Sequence, residues 1–280
     1  MKDKVCIVTG GSSGIGLETV RGLAKQGAEV VLAVRDPAKG AEAAAEVRKT
    51  VPDARLVVMK VDLASRQSIK DFVAAFEAKY SKLDVLVNNA ALVPAKRTLT
   101  PDGLETQFGV NHLGPFLLTV LLLPRLKAAA PSRVVVVSSS VYAGKALDWD
   151  DLQSEKGYSQ MGAYSRSKLA NMLFVKALAK RIEGTGVTVN ALHPGVVSTA
   201  LARDMPAPFR FIANVFFTSP EKGARTSLYV ASSPEVNVNG HYFSDRKDTP
   251  IDAKAVTDEA AERLWQVSAK LAGVDGTISA

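Results

Sequence analysis

Short runs of consecutive apolar residues alternate with stretches in which apolar residues recur every three or four positions. Residues 5–9, 29–34, 55–61, 85–88, 134–138 and 187–192 are compact runs rich in Val, Ile and Leu, the pattern of strands buried on both faces. Between them, residues 15–25, 37–51, 65–80, 104–129 and 162–183 follow helical periodicity, with Ser65 placed to cap the third of these helices. Strand and helix in strict alternation predict an α/β protein, a doubly wound parallel sheet with helices on both faces. The last third is less regular. It predicts a helix at 220–232, a short strand at 240–243 and a final amphipathic helix at 257–271. The segment 200–219 carries Pro206, Pro208, Phe209, Phe211, Phe216 and Phe217 with little periodicity. No linker or internal repeat interrupts the pattern, so one domain is expected over residues 1–280.

Composition narrows the class. With 280 residues, 47% apolar and 22% charged, the chain can bury a large core without disulfides or structural metal. Its one cysteine, Cys6, lies inside the first apolar run and reads as core. A single Cys and three His are too few for a structural zinc site, and no metal is expected. The net charge of +7 is spread among acidic residues with no basic run, which argues against nucleic acid and fits at most an anionic cofactor. Strand-like sequence begins at Lys4, so no signal peptide is expected. The most apolar stretch, 113–126, is shorter than a bilayer span and contains Pro115 and Pro124. It reads as a buried helix. A soluble, cytoplasmic protein with no membrane span is therefore expected.

Two local patterns carry chemistry. Thr9-Gly10-Gly11-Ser12-Ser13-Gly14-Ile15-Gly16 follows the first strand and opens the first helix. Glycine there permits a tight turn and close approach to a pyrophosphate, and the helix N-terminus offers unpaired N–H groups. The spacing differs from G-x-G-x-x-G. Farther on, Tyr164 and Lys168 stand at i and i+4, on one helical face. A lysine ammonium one turn away favours the phenolate, which would let the tyrosine exchange a proton with a carbonyl oxygen near neutral pH. Arg35 ends the second strand, where dinucleotide folds face the adenosine ribose. Arginine there suits a 2′-phosphate, and the neighbouring Asp36, just before Pro37, reads as a helix cap or a ribose contact.

With these residues in view, the chain resembles the short-chain dehydrogenase/reductase family along nearly its whole length. The resemblance rests on the T-G-x-x-x-G-x-G turn, Asp62 in Val61-Asp62-Leu63, Asn88-Asn89-Ala90-Ala91, Asn111, Ser139, Tyr164, Lys168, and Pro194-Gly195 with Thr199. It is closest to the retinol-dehydrogenase-like branch, which includes the oxidoreductase domain of WW-domain proteins. Asp102-Gly103, Val110-Asn111-His112-Leu113-Gly114, Ser167-Lys168-Leu169-Ala170-Asn171, Gly240-His241-Tyr242-Phe243-Ser244-Asp245 and Leu264-Trp265 carry that closer likeness. Membrane-bound members of the branch have an apolar N-terminal anchor, and with strand-like sequence from Lys4 none is expected here.

The resemblance implies a Rossmann fold and hydride transfer between NADP(H) and a carbonyl or alcohol. It implies a catalytic set of Asn111, Ser139, Tyr164 and Lys168, with Ser140 an alternative to Ser139. Tyr164 would give its proton to the carbonyl oxygen, Ser139 would hold that oxygen, Lys168 would bind the nicotinamide ribose, and Asn111 would help order a water. The implied cofactor-binding residues are Gly10, Ser12, Ser13, Gly14, Ile15, Gly16, Arg35, Asp62, Leu63, Asn89, Ala90, Tyr164, Lys168, Pro194, Gly195, Val197 and Thr199. Segment 200–219 falls where the family places a substrate lid, and its apolar character suits a hydrophobic aldehyde, ketone or retinoid-like substrate. Pairing through the two long helices would give a homodimer or homotetramer. The alternatives are reduction of a carbon–carbon double bond, as in protochlorophyllide reductases, and a non-enzymatic NADP-binding sensor or scaffold. His112 and His193 read as structural hydrogen-bonding residues, and Trp149 as a packing anchor.

Overall fold

The computed structural model describes residues 1–143, 146–195, 219–251, 254 and 256–277. Its strands are β1 (Val5–Thr9), β2 (Glu29–Val34), β3 (Arg55–Lys60), β4 (Val85–Asn88), β5 (Ser132–Val137), β6 (Val187–His193), β7 (Tyr242–Ser244) and β8 (Lys247–Asp248). They form one sheet in the order β3-β2-β1-β4-β5-β6-β7-β8. Every pairing is parallel except the β7–β8 hairpin. The order reverses between β3 and β4, which opens a crevice beyond the carboxyl ends of β1 and β4.

Strand residues point alternately to opposite faces, and the core divides accordingly. Ile7, Val31, Ala33, Val134 and Val136 join one apolar cluster. Cys6, Val8, Val30, Leu32, Val135 and Val137 join the other. The second face is covered by α1 (Gly14–Lys25), α2 (Pro37–Thr50) and α7 (Pro220–Ser232). The first is covered by α3 (Arg66–Glu77), α5 (Gly114–Ala128), α6 (Gln160–Arg181) and α8 (Asp258–Ala272). On α8, Trp265 packs edge-on against Phe116 of α5 and stacks with Phe174 of α6. The two long helices expected to pair subunits are thus themselves overlaid by the C-terminal helix.

Helix boundaries follow their caps. Asp36 accepts N–H bonds from Ala38 and Lys39, Ser65 from Ser68, Ser159 from Gly162, Ser219 from Lys222, and Thr257 from Ala260. This settles Asp36 as a cap, and it starts α6 at Gln160, two residues before the expected 162. The helix expected over 104–129 is corrected in two ways. The Glu105 carboxylate accepts from Gln107 and Phe108 N–H, so α4 (Thr106–Phe108) begins only after it. The run then passes through a π turn, Gly109–Leu113, before α5. The strand expected at 240–243 begins at Tyr242, because the residues before it are pinned otherwise: Gly240 N donates to the Val189 carbonyl and His241 N to the Asn190 side chain. β8 was not expected, since its two exposed residues show no apolar pattern.

Thr106–Ala128 is long and apolar enough to cross a membrane by composition, and 83% of its most apolar window is buried within the protein. Trp149 packs against the core under the Arg263 guanidinium, 4.4 Å from its ring centroid, as an anchor should.

Candidate active site

The glycine turn is sewn to the end of β4. Thr9 Oγ1 accepts N–H bonds from Asn89 (2.9 Å) and Ala90 (3.0 Å), and Asn89 Nδ2 donates to the Thr9 carbonyl (2.9 Å). Gly10 has φ +66°, in the left-handed region that favours glycine. A Cβ on Gly16 would lie 2.3 Å from the Gly10 carbonyl oxygen and 2.6 Å from Asn89 Nδ2. We therefore expect Gly16→Ala to cost about 1–3 kcal/mol through overpacking and to weaken cofactor binding together with stability. Denaturant titration and fluorescence titration with NADPH measure the two.

Beyond this turn the N-terminus of α1 is open. Ser13 makes no capping bond, in contrast to the capped helices described above, and a side chain built at Gly14 would meet nothing within 4 Å. Unpaired N–H groups, the positive end of the helix dipole and free space above glycine fit a dinucleotide pyrophosphate. Ser12, Ser13 and Gly14 border that space, while Ile15 and Gly16 are buried beneath it. Arg35 is exposed at the end of β2 and has no ion pair among the described residues. Asp62 uses Oδ1 to accept from Ala64 N and leaves Oδ2 uncommitted, beside the buried Leu63. Pro194 and Gly195, the latter at φ +85°, follow β6. Val197 and Thr199 lie outside the described residues, as does 200–218 of the expected lid.

The four expected catalytic residues come from three elements. Tyr164 and Lys168 lie on α6. Ser139 ends the loop after β5 and caps the 3-10 turn Ser140–Tyr142. Ser139 hydrogen-bonds Tyr164 and is 8% exposed, whereas the Ser140 side chain is exposed and its N–H donates to His193 Nδ1 at 3.4 Å. That geometry separates the two candidate serines. Asn111 sits in the π turn, a distortion that recurs at functional sites. Its amide donates to the Leu92 carbonyl (3.0 Å) and to Ser167 Oγ (3.2 Å) and accepts from Leu92 N (2.9 Å). The side chain thus clasps the loop after β4.

Electrostatics differ from the expectation at Tyr164. Burial pushes its phenol above the usual tyrosine value, and the Ser139 hydrogen bond only partly opposes this. The Lys168 ammonium is buried, donates to the Val137 carbonyl at 2.8 Å and stands 5.5 Å from the Tyr164 ring centroid. Burial lowers Lys168 to about 8. A neutral, half-buried phenol is suited to donating a proton, and a lysine near 8 can carry or release one close to neutral pH.

Three residues at this site escaped the sequence reading. Gln107 Nε2 donates to Tyr158 Oη (2.9 Å) and to the Gln160 carbonyl (3.0 Å). Tyr158 in turn donates to the Pro94 carbonyl (2.5 Å), and Gln160 Nε2 to the Val93 carbonyl (2.9 Å). Together they fix the rim made by residues 92–94. No sequence signal marks them, since polar residues at helix starts ordinarily face water.

The short chain dehydrogenase model matches residues 4–208. The chain belongs to the short-chain dehydrogenase family. Within it the chain is retinol-dehydrogenase-like. It is 44% identical to human retinol dehydrogenase 14 over 294 residues, covering 98% of this chain and 88% of the relative. It is 46% identical to human retinol dehydrogenase 12 over 274 residues, covering 97% and 87%. Among solved structures it resembles an uncharacterised protein from Mycobacterium paratuberculosis, with TM-score 0.81 and 34% identity over 99% of this chain and 96% of that one. It also resembles the Pseudomonas aeruginosa RhlG/NADP active-site complex, with TM-score 0.73 and 25% identity over 92% and 98%. The protein is an oxidoreductase that uses a nicotinamide cofactor to transfer hydride between CH–OH and C=O groups.

Proposed function

We propose that this dehydrogenase uses NADP(H) and acts on a hydrophobic aldehyde, ketone or alcohol of retinoid-like character. Arg35 carries the cofactor assignment: its guanidinium is exposed at the end of β2 and has no ion pair among the described residues, while Asp36 caps α2 through Oδ1. An uncommitted planar fork suits a 2′-phosphate, and no carboxylate on β2 near Arg35 is free to accept from a ribose 2′-hydroxyl. The bound nicotinamide supplies the hydride chemistry. Tyr164 would donate a proton to the substrate oxygen, Ser139 would hold that oxygen, and Lys168 would hold the nicotinamide ribose. The Asn111 clasp keeps the loop after β4 in place. The retinol dehydrogenase relatives support an apolar substrate, as does the aromatic content of residues 200–219.

Titration of NADPH and NADH against wild type and Arg35→Ala tests the cofactor. One charge-assisted contact is worth roughly 1.5–3 kcal/mol, or about 10- to 150-fold in affinity. NADPH should bind more tightly by at least the lower factor, and Arg35→Ala should erase most of the gap while leaving NADH affinity intact. Equal wild-type affinities would overturn the NADP assignment and leave the family standing. For the substrate, replacing residues 200–219 with a short polar loop should reorder a panel of aldehydes, ketones and retinoids without weakening NADPH. An unaltered ranking means that the segment does not select substrate.

A further inference from the structure

His112 follows Asn111 in the π turn but is directed into the core. Its Nε2 lies 2.8 Å from Ser268 Oγ on α8, and its ring interacts with the Asn171 side chain on α6. Nδ1 of His112 and Oδ1 of Asn171 are both buried, and neither has a hydrogen-bond partner among the described residues, so the bond to Ser268 is the one that holds the ring. His112, Asn171 and Ser268 are 1%, 3% and 0% exposed. The rings of Phe108, Phe116 and Phe174 surround the imidazole at centroid distances of 5.2, 6.3 and 6.3 Å.

Burial lowers His112 to about 3, so the ring is neutral, with one donor and one acceptor. The Ser268 hydroxyl can donate to Nε2 or accept from it, so the bond forms with either tautomer, and Phe174 packs edge-on against the ring from α6. One side chain therefore ties three elements together. The π turn carries Asn111. Helix α6 carries Tyr164 and Lys168, with Asn171 at i+3 from Lys168. Helix α8 supplies none of the expected catalytic or cofactor residues. A π turn is an irregular stretch of helix, and its register depends on side chains that hold it from both sides. Asn111 grips it toward the loop after β4, and His112 grips it from the core.

We propose that His112 is a positioning residue: through its bond to Ser268 and its packing against Phe174 it sets the π turn of Asn111 against the helix of Tyr164 and Lys168, so that the C-terminal helix governs turnover. This rests on the assignment of Tyr164 and Lys168 as the reacting pair. A structural role alone would move only stability, so the test separates the two.

His112→Phe keeps the aromatic packing and removes the bond to Ser268. His112→Gln offers an amide oxygen near the position of Nε2, which keeps the Ser268 arm. Ser268→Ala removes that arm alone. For each variant, kcat and KM are measured per cofactor-binding site, well below the lowest melting temperature in the set. His112→Phe should lower kcat about tenfold or more, since small misplacements of reacting groups have effects of this order, with NADPH affinity near wild type. His112→Gln should recover most of the loss, and Ser268→Ala should show part of it. Wild-type kcat in folded His112→Phe overturns the proposal. So does equal kcat in the Phe and Gln variants. If His112→Phe does not fold, unchanged kcat in Ser268→Ala has the same force. Full turnover in Tyr164→Phe would instead overturn the assignment beneath it, whereas an inactive Tyr164→Phe beside an unimpaired His112→Phe sinks the positioning role alone.

Discussion

Tyr164→Phe should fold normally, bind NADPH as wild type does, and lose at least about 10²-fold in kcat, the usual scale of general acid–base catalysis. Phenylalanine keeps the ring on α6 and removes only the hydroxyl that bonds Ser139. The lost bond is worth about 1 kcal/mol, so the melting curve should move little. The pH dependence has a definite sign. Burial raises the phenol above the ordinary value, so carbonyl reduction, which needs the protonated form, should stay level through neutral pH and fall only at strongly alkaline pH. Alcohol oxidation needs the deprotonated form and should rise with pH across the same range. Steady-state rates in both directions check this, and near-wild-type turnover of Tyr164→Phe would remove the tyrosine from the mechanism.

Lys168→Met should lose both turnover and cofactor affinity while the free protein becomes more stable. The buried ammonium titrates near 8, against 10.5 for an unperturbed lysine. The unfolded chain therefore binds more protons between these values, and wild-type stability rises with pH across that window. Below pH 8 the full penalty of about 3 kcal/mol applies. Above 10.5 it is gone. Met removes the charge but also the bond to the Val137 carbonyl, worth about 1 kcal/mol. The net gain at pH 7 is about 2 kcal/mol, and it should vanish as pH approaches 10.5. Urea titrations of both proteins at pH 7 and pH 10 measure the difference. A lysine kept in the core at this cost is retained for function. A less stable variant at pH 7 would mean that the Val137 bond outweighs desolvation.

What could be read from the chain alone is what depends on neighbours in sequence. The apolar runs at Val5–Thr9, Glu29–Val34 and Val85–Asn88 specify strands buried on both faces, because only a sheet covered on each side leaves no polar alternation. Ser65 and the glycine turn act over a few residues, and Tyr164 and Lys168 share a face through helix geometry alone. These determined the architecture and most of the candidate site. What only the tertiary structure decided depends on partners far apart in the chain. Asn111 clasps Leu92, His112 bonds Ser268, and Tyr158 bonds Pro94. None of these pairs leaves a local pattern, and the first two anchor the π turn between α4 and α5 from opposite sides. Ser139 and Ser140 are equivalent in sequence and are separated by which one the fold turns toward Tyr164. The burial that raises Tyr164 and lowers Lys168 is equally illegible in sequence: spacing gives the distance between two groups, but desolvation is set by everything packed around them.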